Sequence, residues 1–220
     1  MNSPLFEPKT REAIERKVRD LLNQQADFLS NDTAKSTRAT GDAIQSIVGD
    51  HFEHLLGFPI SKYRSDFTKK ALEDLAFNDP DGNYVAVDVK TLRRGTKFNR
   101  PNLVSVAKLA KFYQDPANLF VMLMVDYQIM GTKVAVENVL FLPIEHLKWT
   151  CLTLGALGEG QIQIKDSKRI EIDSSQKRRA WMLEFCDTML EFYPREITKI
   201  TRRIGQFEKV KQFWLAKPEA

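Results

Sequence analysis

The chain has few cysteines, and they form no pattern that builds a site. Only Cys151 and Cys186 occur among 220 residues, and they match neither the CxxC pairs of a metal site nor a disulfide framework. We therefore expect two buried, reduced thiols and a reducing compartment. His51 and His54 have no second His or Cys at metal-ligand spacing, so we expect packing or surface roles for both.

Long apolar runs are also absent. The longest, Leu119 to Val125, is far below the roughly 20 residues that a membrane-spanning helix needs. The first residues, MNSPLFEPKTREAIERK, lack the apolar core of a signal peptide. With no repeats and 43% apolar and 28% charged residues, we expect a soluble cytoplasmic protein with one globular domain, or one with a helical appendage. The net charge of +4 permits a polyanionic partner without requiring one.

Hydrophobic spacing predicts helices at the start of the chain. Apolar residues three and four apart indicate an N-terminal helix over about 10–30 and a second helix over about 42–56. The polar link between them, Ser30 to Asp42, is predicted to be an exposed loop.

Strands and then further helices follow. We predict a β-hairpin over 75–91, a helix opened by Pro101, and two long strands, NLFVMLMVDYQI and GTKVAVENVLFLP, in the hairpin's sheet. A smaller hairpin turns at Asp166 to Lys168, and a C-terminal helical pair over about 175–215 is broken at Pro194. This order indicates a single domain over 1–220 of the α/β (α+β) class, with a central mixed β-sheet flanked by helices.

The first hairpin brings two carboxylates together. Its turn formers, DPDGN, predict a connection that pairs Asn78 with Tyr84. That register puts Asp74 opposite Asp88, roughly 5 Å away, with Lys90 on the same face. The opposite face is apolar and contains Leu75, Phe77, Val85, Val87 and Val89.

Facing carboxylates destabilise a strand pair, so a compensating cation is expected. Mg²⁺ accepts one or two carboxylates and completes its shell with waters and phosphate oxygens. Such a site can hold a phosphodiester, activate a bound water and stabilise the leaving oxygen. Lys90 is placed to orient or deprotonate the attacking water and to stabilise charge on the phosphorane.

Simpler interpretations of the same residues stay open. Asp88 and Lys90 also fit an exposed face with an ordinary salt bridge. A slip of one residue in the register would replace Asp74 by Glu73, and Asp66 is a more distant third candidate. The triplet Asp166-Ser167-Lys168 has the same acid-x-Lys pattern, but it lies in a predicted turn without a partner acid, so we interpret it as solvated.

Several segments resemble one family. Asp74, followed fourteen residues later by Asp88-Val89-Lys90, resembles the PD-(D/E)XK nuclease motif, with Glu73 in place of its proline. The segment VDVKTLRRGTKFNRPNLVSVAKLAKF resembles the catalytic strand, recognition loop and following helix of the HincII and EcoRV branch of type II restriction endonucleases. GDHFEHLL resembles the acid-bearing helix ahead of that strand. The likeness covers about residues 36–215.

This resemblance implies a restriction-endonuclease-like fold and a role in a restriction–modification system. The enzyme would be a homodimer with Mg²⁺ as cofactor, each subunit cutting one strand of a short, palindromic site in double-stranded DNA. Asp74 and Asp88 would bind the metal, the backbone carbonyl of Val89 would add a ligand, and Lys90 would be the catalytic lysine.

The helix ahead of the hairpin has a candidate supporting acid. Glu53 stands where the family often has one, and Asp50 is its competitor. A solvated glutamate at Glu53 fits the helical spacing equally well.

A basic loop follows the catalytic strand. Its cations would contact phosphates, and its asparagine amides can make two hydrogen bonds to one base edge. A solvated loop leading into an ordinary helix start is the alternative, and Phe98 is either a packing residue or a wedge between base steps. The candidate DNA-binding residues are Arg93, Arg94, Lys97, Phe98, Asn99, Arg100 and Asn102, with Lys35 and Arg38 from the polar link.

Two other functions remain open at this point. A DNA repair or junction-resolving nuclease would use the same acids and lysine on another substrate. A catalytically inactive DNA-binding module would keep the fold with vestigial acids. The amides in the basic loop favour sequence readout over the first of these functions, and the intact Asp74, Asp88 and Lys90 argue against the second.

Overall fold

The structure is a computed structural model that describes residues 2–25, 28–68, 71–96, 100–155 and 160–218. The chain divides into two compact units, Met1–Gln176 and Lys177–Ala220. The helices of the first unit are α1 (Pro8–Gln24), α2 (Asn31–Lys35), α3 (Thr37–Leu55) and α4 (Val106–Phe112), with short 3-10 turns at Pro4–Phe6, Ile144–His146 and Trp149–Cys151. Its strands are β1 (Ser61–Arg64), β2 (Leu75–Asn78), β3 (Tyr84–Arg93), β4 (Asn102–Ser105), β5 (Asn118–Met130), β6 (Lys133–Pro143), β7 (Leu152–Gly155) and β8 (Gln161–Ile164).

A five-stranded sheet forms the centre of the first unit, in the order β1-β2-β3-β5-β6. Strands β3 and β5 are parallel, and the other neighbours are antiparallel. One face of the sheet packs its apolar side chains against buried residues of α1 and α3, such as Val18 and Phe52. On the other face, Phe112 of α4 contacts the rings of Tyr84 and Phe120. The predicted α/β class with a central mixed sheet flanked by helices is therefore confirmed.

The hairpin of β2 and β3 has the predicted register. Asn78 pairs with Tyr84 and Leu75 with Val87, so the turn residues set the pairing as expected. Asp79 closes the turn, since its Oδ1 accepts hydrogen bonds from the backbone N–H groups of Asp81 and Asn83. The five residues predicted for the apolar face all lie in the core: Leu75, Phe77, Val85, Val87 and Val89.

The polar link is helical, so the prediction of an exposed loop was wrong. Ser30 and Ser36 each accept a hydrogen bond from the backbone N–H three residues later, at Thr33 and Ala39. These serines are N-caps, which satisfy N–H groups that a helix start leaves free. They begin α2 and α3 inside a segment whose lack of large apolar residues suggested a loop.

The segment after Pro101 is a strand before it is a helix. Leu103 and Val104 are buried in β4, which pairs with β8 in a small antiparallel sheet of order β4-β8-β7. The predicted second hairpin is also wrong, because β8 pairs with the preceding β7. Its turn does form, with Asp166 accepting a hydrogen bond from the backbone N–H of Lys168.

Over residues 177–218 the second unit contains one helix, α5 (Arg178–Leu215), where a helical pair was predicted. Pro194 lies inside it. A proline removes one backbone hydrogen bond and strains the preceding turn. Here long helical stretches on both sides outweigh that local loss.

The two cysteines differ in their surroundings. Both are free thiols, but Cys151 is buried and Cys186 is exposed on α5, so the prediction of burial holds only for Cys151. Among the helices of the described segments, none has the length and apolar character to cross a membrane.

Candidate active site

Three predicted site residues line one cavity. Asp74 immediately precedes β2, and its backbone N–H donates to the carbonyl of Val87 (2.9 Å), the residue that pairs with Leu75. Asp88 and Lys90 lie two residues apart on β3, so their side chains leave the same face of the sheet. Asp74, Asp88 and Lys90 border a cavity of about 250 Å³. Asp74 lines this cavity and Glu73 does not, so the alternative with Glu73 in the place of Asp74 is not observed.

The alternative acids are engaged elsewhere. The carboxylate of Glu73 accepts a hydrogen bond from the hydroxyl of Tyr84 (2.9 Å). Asp66 is exposed and forms an ion pair with Arg64 (3.0 Å). Neither residue lines the cavity that holds Asp88.

Asp88 is a buried carboxylate with one oxygen paired. Its Oδ1 accepts a hydrogen bond from Lys90 Nζ at 2.7 Å, whereas Oδ2 is buried and has no hydrogen-bond partner in the described residues. Burial raises the pKa of Asp88 to about 7, and the negative charge of Asp74 adds to the rise, while Lys90 opposes it. The exposed salt bridge considered as an alternative is therefore wrong, because the Asp88 side chain is only 8% exposed.

Asp74 is held from two directions. Its Oδ2 accepts a hydrogen bond from the backbone N–H of Val89, and its Oδ1 accepts one from the amide of Gln45, both at 2.8 Å. Gln45 belongs to α3, so this helix helps to fix the carboxylate. Charge-assisted hydrogen bonds of this kind are stronger than neutral ones.

The supporting acids predicted on α3 do not touch the carboxylate pair. Glu53 is exposed and lines neither of the two cavities that border Asp74. Asp50 lines the larger of them, about 500 Å³, together with Arg38 and Gln45. Of the two acids, Asp50 thus shares a cavity with Asp74, but the α3 residue that contacts Asp74 is Gln45.

The oxygen atoms available in the cavity decide whether it can hold a metal ion. The described residues contain no group of three or more His, Cys, Asp or Glu side chains that could hold one. Mg²⁺ does not need such a group, because it commonly binds one or two carboxylates and keeps several waters. Two carboxylates with the unpartnered Oδ2 of Asp88 fit that requirement. The backbone carbonyl of Val89 as a further ligand stays a prediction.

Two residues of this cavity were missed by sequence reasoning. Lys108 comes from α4, where its Nζ also donates to the carbonyl of Ala71 (3.3 Å). Gln161 comes from β8. The signal for Lys108 was a cation on the polar side of a predicted helix, whereas Gln161 reaches the cavity only through the pairing of β8 with β4.

The predicted DNA-binding arginines at the end of β3 are not directed to the carboxylates. Arg93 donates to the carbonyl of Ala34 (2.9 Å) and Arg94 forms an ion pair with Glu137. Both line a separate cavity of about 790 Å³ that also includes Lys168.

The remaining residues predicted to contact DNA lie at separate places in the fold. Arg38 lines the 500 Å³ cavity beside Asp74, and Lys35 is exposed with an ion pair to Asp32 (3.4 Å). Arg100 is exposed, and Asn102 accepts a hydrogen bond from Gln163 (2.5 Å). Lys97, Phe98 and Asn99 lie outside the described residues, so their predicted roles stay predictions.

Comparison with known proteins adds no family. No protein-family model matches the chain, and no curated protein matches its sequence.

Proposed function

We propose that the protein is a Mg²⁺-dependent endonuclease that hydrolyses both strands of a short, specific double-stranded DNA site, as type II restriction endonucleases do. The observation that carries the proposal is the arrangement of Asp74, Asp88 and Lys90 around one cavity, with a buried oxygen of Asp88 left without a partner. A fold does not need this arrangement for stability, because burying Asp88 beside a second carboxylate costs free energy.

The two carboxylates share one task in this proposal. Asp88, on the rigid central strand, and Asp74, oriented by Gln45 and Val89, would hold the metal. A bound Mg²⁺ would supply Lewis acidity toward the phosphate and a water of lowered pKa. The carboxylates also repel other anions, so the scissile phosphate would approach only when their charge is neutralised.

Lys90 provides the cation that stays in the site. Its ammonium lies 2.7 Å from Asp88, so it is held at the cavity and cannot swing freely into solvent. It can orient the attacking water by hydrogen bonding and stabilise the charge that develops on the phosphoryl oxygens. Lys108, from α4, lines the same cavity and would bind a neighbouring phosphate of the DNA backbone.

Cutting both strands needs two such sites. Each chain has one Asp74–Asp88–Lys90 site, which can attack one phosphodiester at a time. A homodimer on a palindromic sequence places one site on each strand, because both the protein and the DNA then have twofold symmetry. The exposed basic residues Arg38 and Arg100 would contribute sequence-independent affinity for the duplex.

A cleavage experiment tests the proposal. Purified protein is incubated with unmethylated phage DNA in Mg²⁺ or in EDTA, and fragment ends are sequenced. We expect discrete fragments that share one palindrome, absent in EDTA and with Asp88→Ala. The control is Asp166→Ala, which alters the other acid-x-Lys triplet and should cleave normally.

Other results would point to the other functions. Cleavage without a shared sequence, or only on branched substrates, would indicate a repair or junction-resolving nuclease. DNA binding that is indifferent to Mg²⁺, with no cleavage, would indicate an inactive binding module and would contradict the proposal.

A further inference from the structure

Helix α5 has an exposed apolar stripe that the proposed active site does not use. Large apolar side chains follow one line along the helix, and each is between 42% and 73% exposed. The members of this apolar stripe are Leu183, Leu190, Tyr193, Ile197, Ile200, Ile204, Phe207 and Trp214. Contiguous exposed apolar surface of this kind marks an interaction site.

The spacing of the stripe is that of a coiled coil. From Leu190 to Phe207 its members alternate three and four residues apart, which is an average of 3.5 and matches positions a and d of a heptad. Leu183 and Trp214 continue the same register, with Cys186 at a d position and Lys211 at an a position between them. A sustained 3.5-residue repeat keeps one line of side chains facing a partner helix.

The opposite side of the helix is polar. From residue 195 to 212 the b, c and f positions contain no large apolar side chain: Arg195, Thr198, Lys199, Arg202, Gly205, Gln206, Lys209 and Gln212. The apolar surface is therefore one narrow seam, as in a two-stranded coiled coil, and does not surround the helix.

We propose that the apolar stripe pairs with the same stripe of a second copy of this chain, as a parallel coiled coil in register. The placement of the charged residues supports a second copy of this chain as the partner. In a parallel pair, a g residue meets the e residue five positions later on the partner helix, which pairs Arg203 with Glu208 of the second copy, twice by symmetry. The next such pair, Val210 with Leu215 of the second copy, is apolar and widens the seam.

An antiparallel pair is the alternative arrangement. The alignment that preserves the apolar layers pairs Glu196 with Arg203 of the second copy. However, it also brings Asp187 beside Glu208 of the second copy, and like charges at that distance repel. The parallel arrangement stacks Lys211 on its counterpart. A single Lys at an a position sets register at a cost in stability, and near the end of the helix its ammonium can reach water.

The available surface is large enough for a stable pair. Tyr193, Phe207 and Trp214 are 42%, 72% and 66% exposed, which at about 150–250 Å² per aromatic side chain leaves roughly 270–450 Å² to bury. The five aliphatic members, with similar exposed fractions, add a comparable area. The sum approaches the ~800 Å² per partner of a standard protein interface.

The oligomeric state of the full chain tests this proposal without reference to nuclease activity. Light scattering over a dilution series should give a dimer that dissociates to monomer. Ile204→Glu should raise the dissociation constant about 100-fold or more, because two charges then meet in one buried layer. Gln206→Glu adds the same charge on the polar side of the same turn and should leave the constant within about twofold. Circular dichroism of both variants checks that α5 is still helical.

Disulfide formation at Cys186 shows whether the two paired helices are parallel. In the parallel register the exposed Cys186 meets its counterpart at a d layer, so mild oxidation should give a disulfide-linked dimer that Cys186→Ser abolishes. A monomer at every concentration, or equal effects of Ile204→Glu and Gln206→Glu, would overturn the proposed pairing and leave another partner for the stripe. A dimer that is sensitive to Ile204→Glu but never links through Cys186 would overturn the parallel register.

Discussion

Replacing Asp88 by asparagine should stabilise the protein at neutral pH. The folded chain raises the pKa of Asp88 from an ordinary 3.8 to about 7, so between these values the folded state holds a proton that the unfolded state has released. Unfolding then releases a proton, and the stability of the wild type falls as the pH rises from about 4 through about 7. Asparagine does not titrate, so the free energy of unfolding of Asp88→Asn should rise relative to that of the wild type between about pH 4 and pH 7.

The size of this stability difference follows from the shift in the pKa of Asp88. Each pH unit well between the two pKa values corresponds to about 1.4 kcal/mol, and the slope halves at the folded pKa, so from pH 5 to pH 7 the free energy of unfolding of Asp88→Asn should gain about 2 kcal/mol on the wild type. For a chain of this length that is about 4–8 °C in melting temperature. Other titrating groups, such as the buried His146, are common to both proteins and cancel in the difference.

Thermal or urea unfolding of both proteins in EDTA, at several pH values, measures this difference. Asp166→Asn serves as the matched control and should show no comparable trend. A difference between Asp88→Asn and wild type that is constant from pH 5 to pH 7 would refute the reasoning, because Asp88 would then be ionised in the folded state throughout.

Three further predictions concern the neighbours of Asp88. Lys90→Met keeps the packing of the side-chain stem but removes the charge, and should lower the cleavage rate by about 10²–10⁴-fold; unchanged single-turnover cleavage would exclude Lys90 from the chemistry. Gln45→Ala removes a hydrogen bond to Asp74 and should cost about 1–2 kcal/mol of Mg²⁺ binding free energy by calorimetry, while Asp50→Asn, in the same cavity without that contact, should cost less. Lys108→Ala should lower the slope of log affinity against log salt by about one in DNA binding; an unchanged slope would mean that Lys108 contacts no phosphate.

The central hairpin was predictable because its signals are local. Turn residues between two short strands set the register, and strict alternation then assigns each side chain to a face. The shared face of Asp88 and Lys90 follows from those two rules, and Asp74, which precedes β2, lines the same cavity.

The second layer of the site was not predictable in the same way. Helical spacing identified α3, but which of its residues meets Asp74 depends on how the helix packs on the sheet. That packing selects Gln45, where the family resemblance had pointed to Glu53 or Asp50. Gln161 reaches the cavity through the pairing of β8 with β4, which no local sequence pattern predicts.

The predicted helix boundaries were wrong where local sequence signals compete with effects from the rest of the fold. Ser30 and Ser36 were signals for helix starts inside a segment interpreted as a loop. At Pro194 the local rule predicted a break, but the helix continues. The heptad spacing on both sides of Pro194 was visible in the sequence and is the better guide there.

We propose that Asp74 and Asp88 together hold a metal that this chain uses to cleave DNA. The most direct test of this proposal is the rate of cleavage of a supercoiled plasmid as a function of Mg²⁺, for wild type, Asp74→Asn, Asp88→Asn and Asp166→Asn. We expect saturable, Mg²⁺-dependent cleavage by wild type and Asp166→Asn, and losses of several orders of magnitude for both site variants. Cleavage by Asp88→Asn at the wild-type rate, or no cleavage by the wild type at any Mg²⁺ concentration, would contradict it.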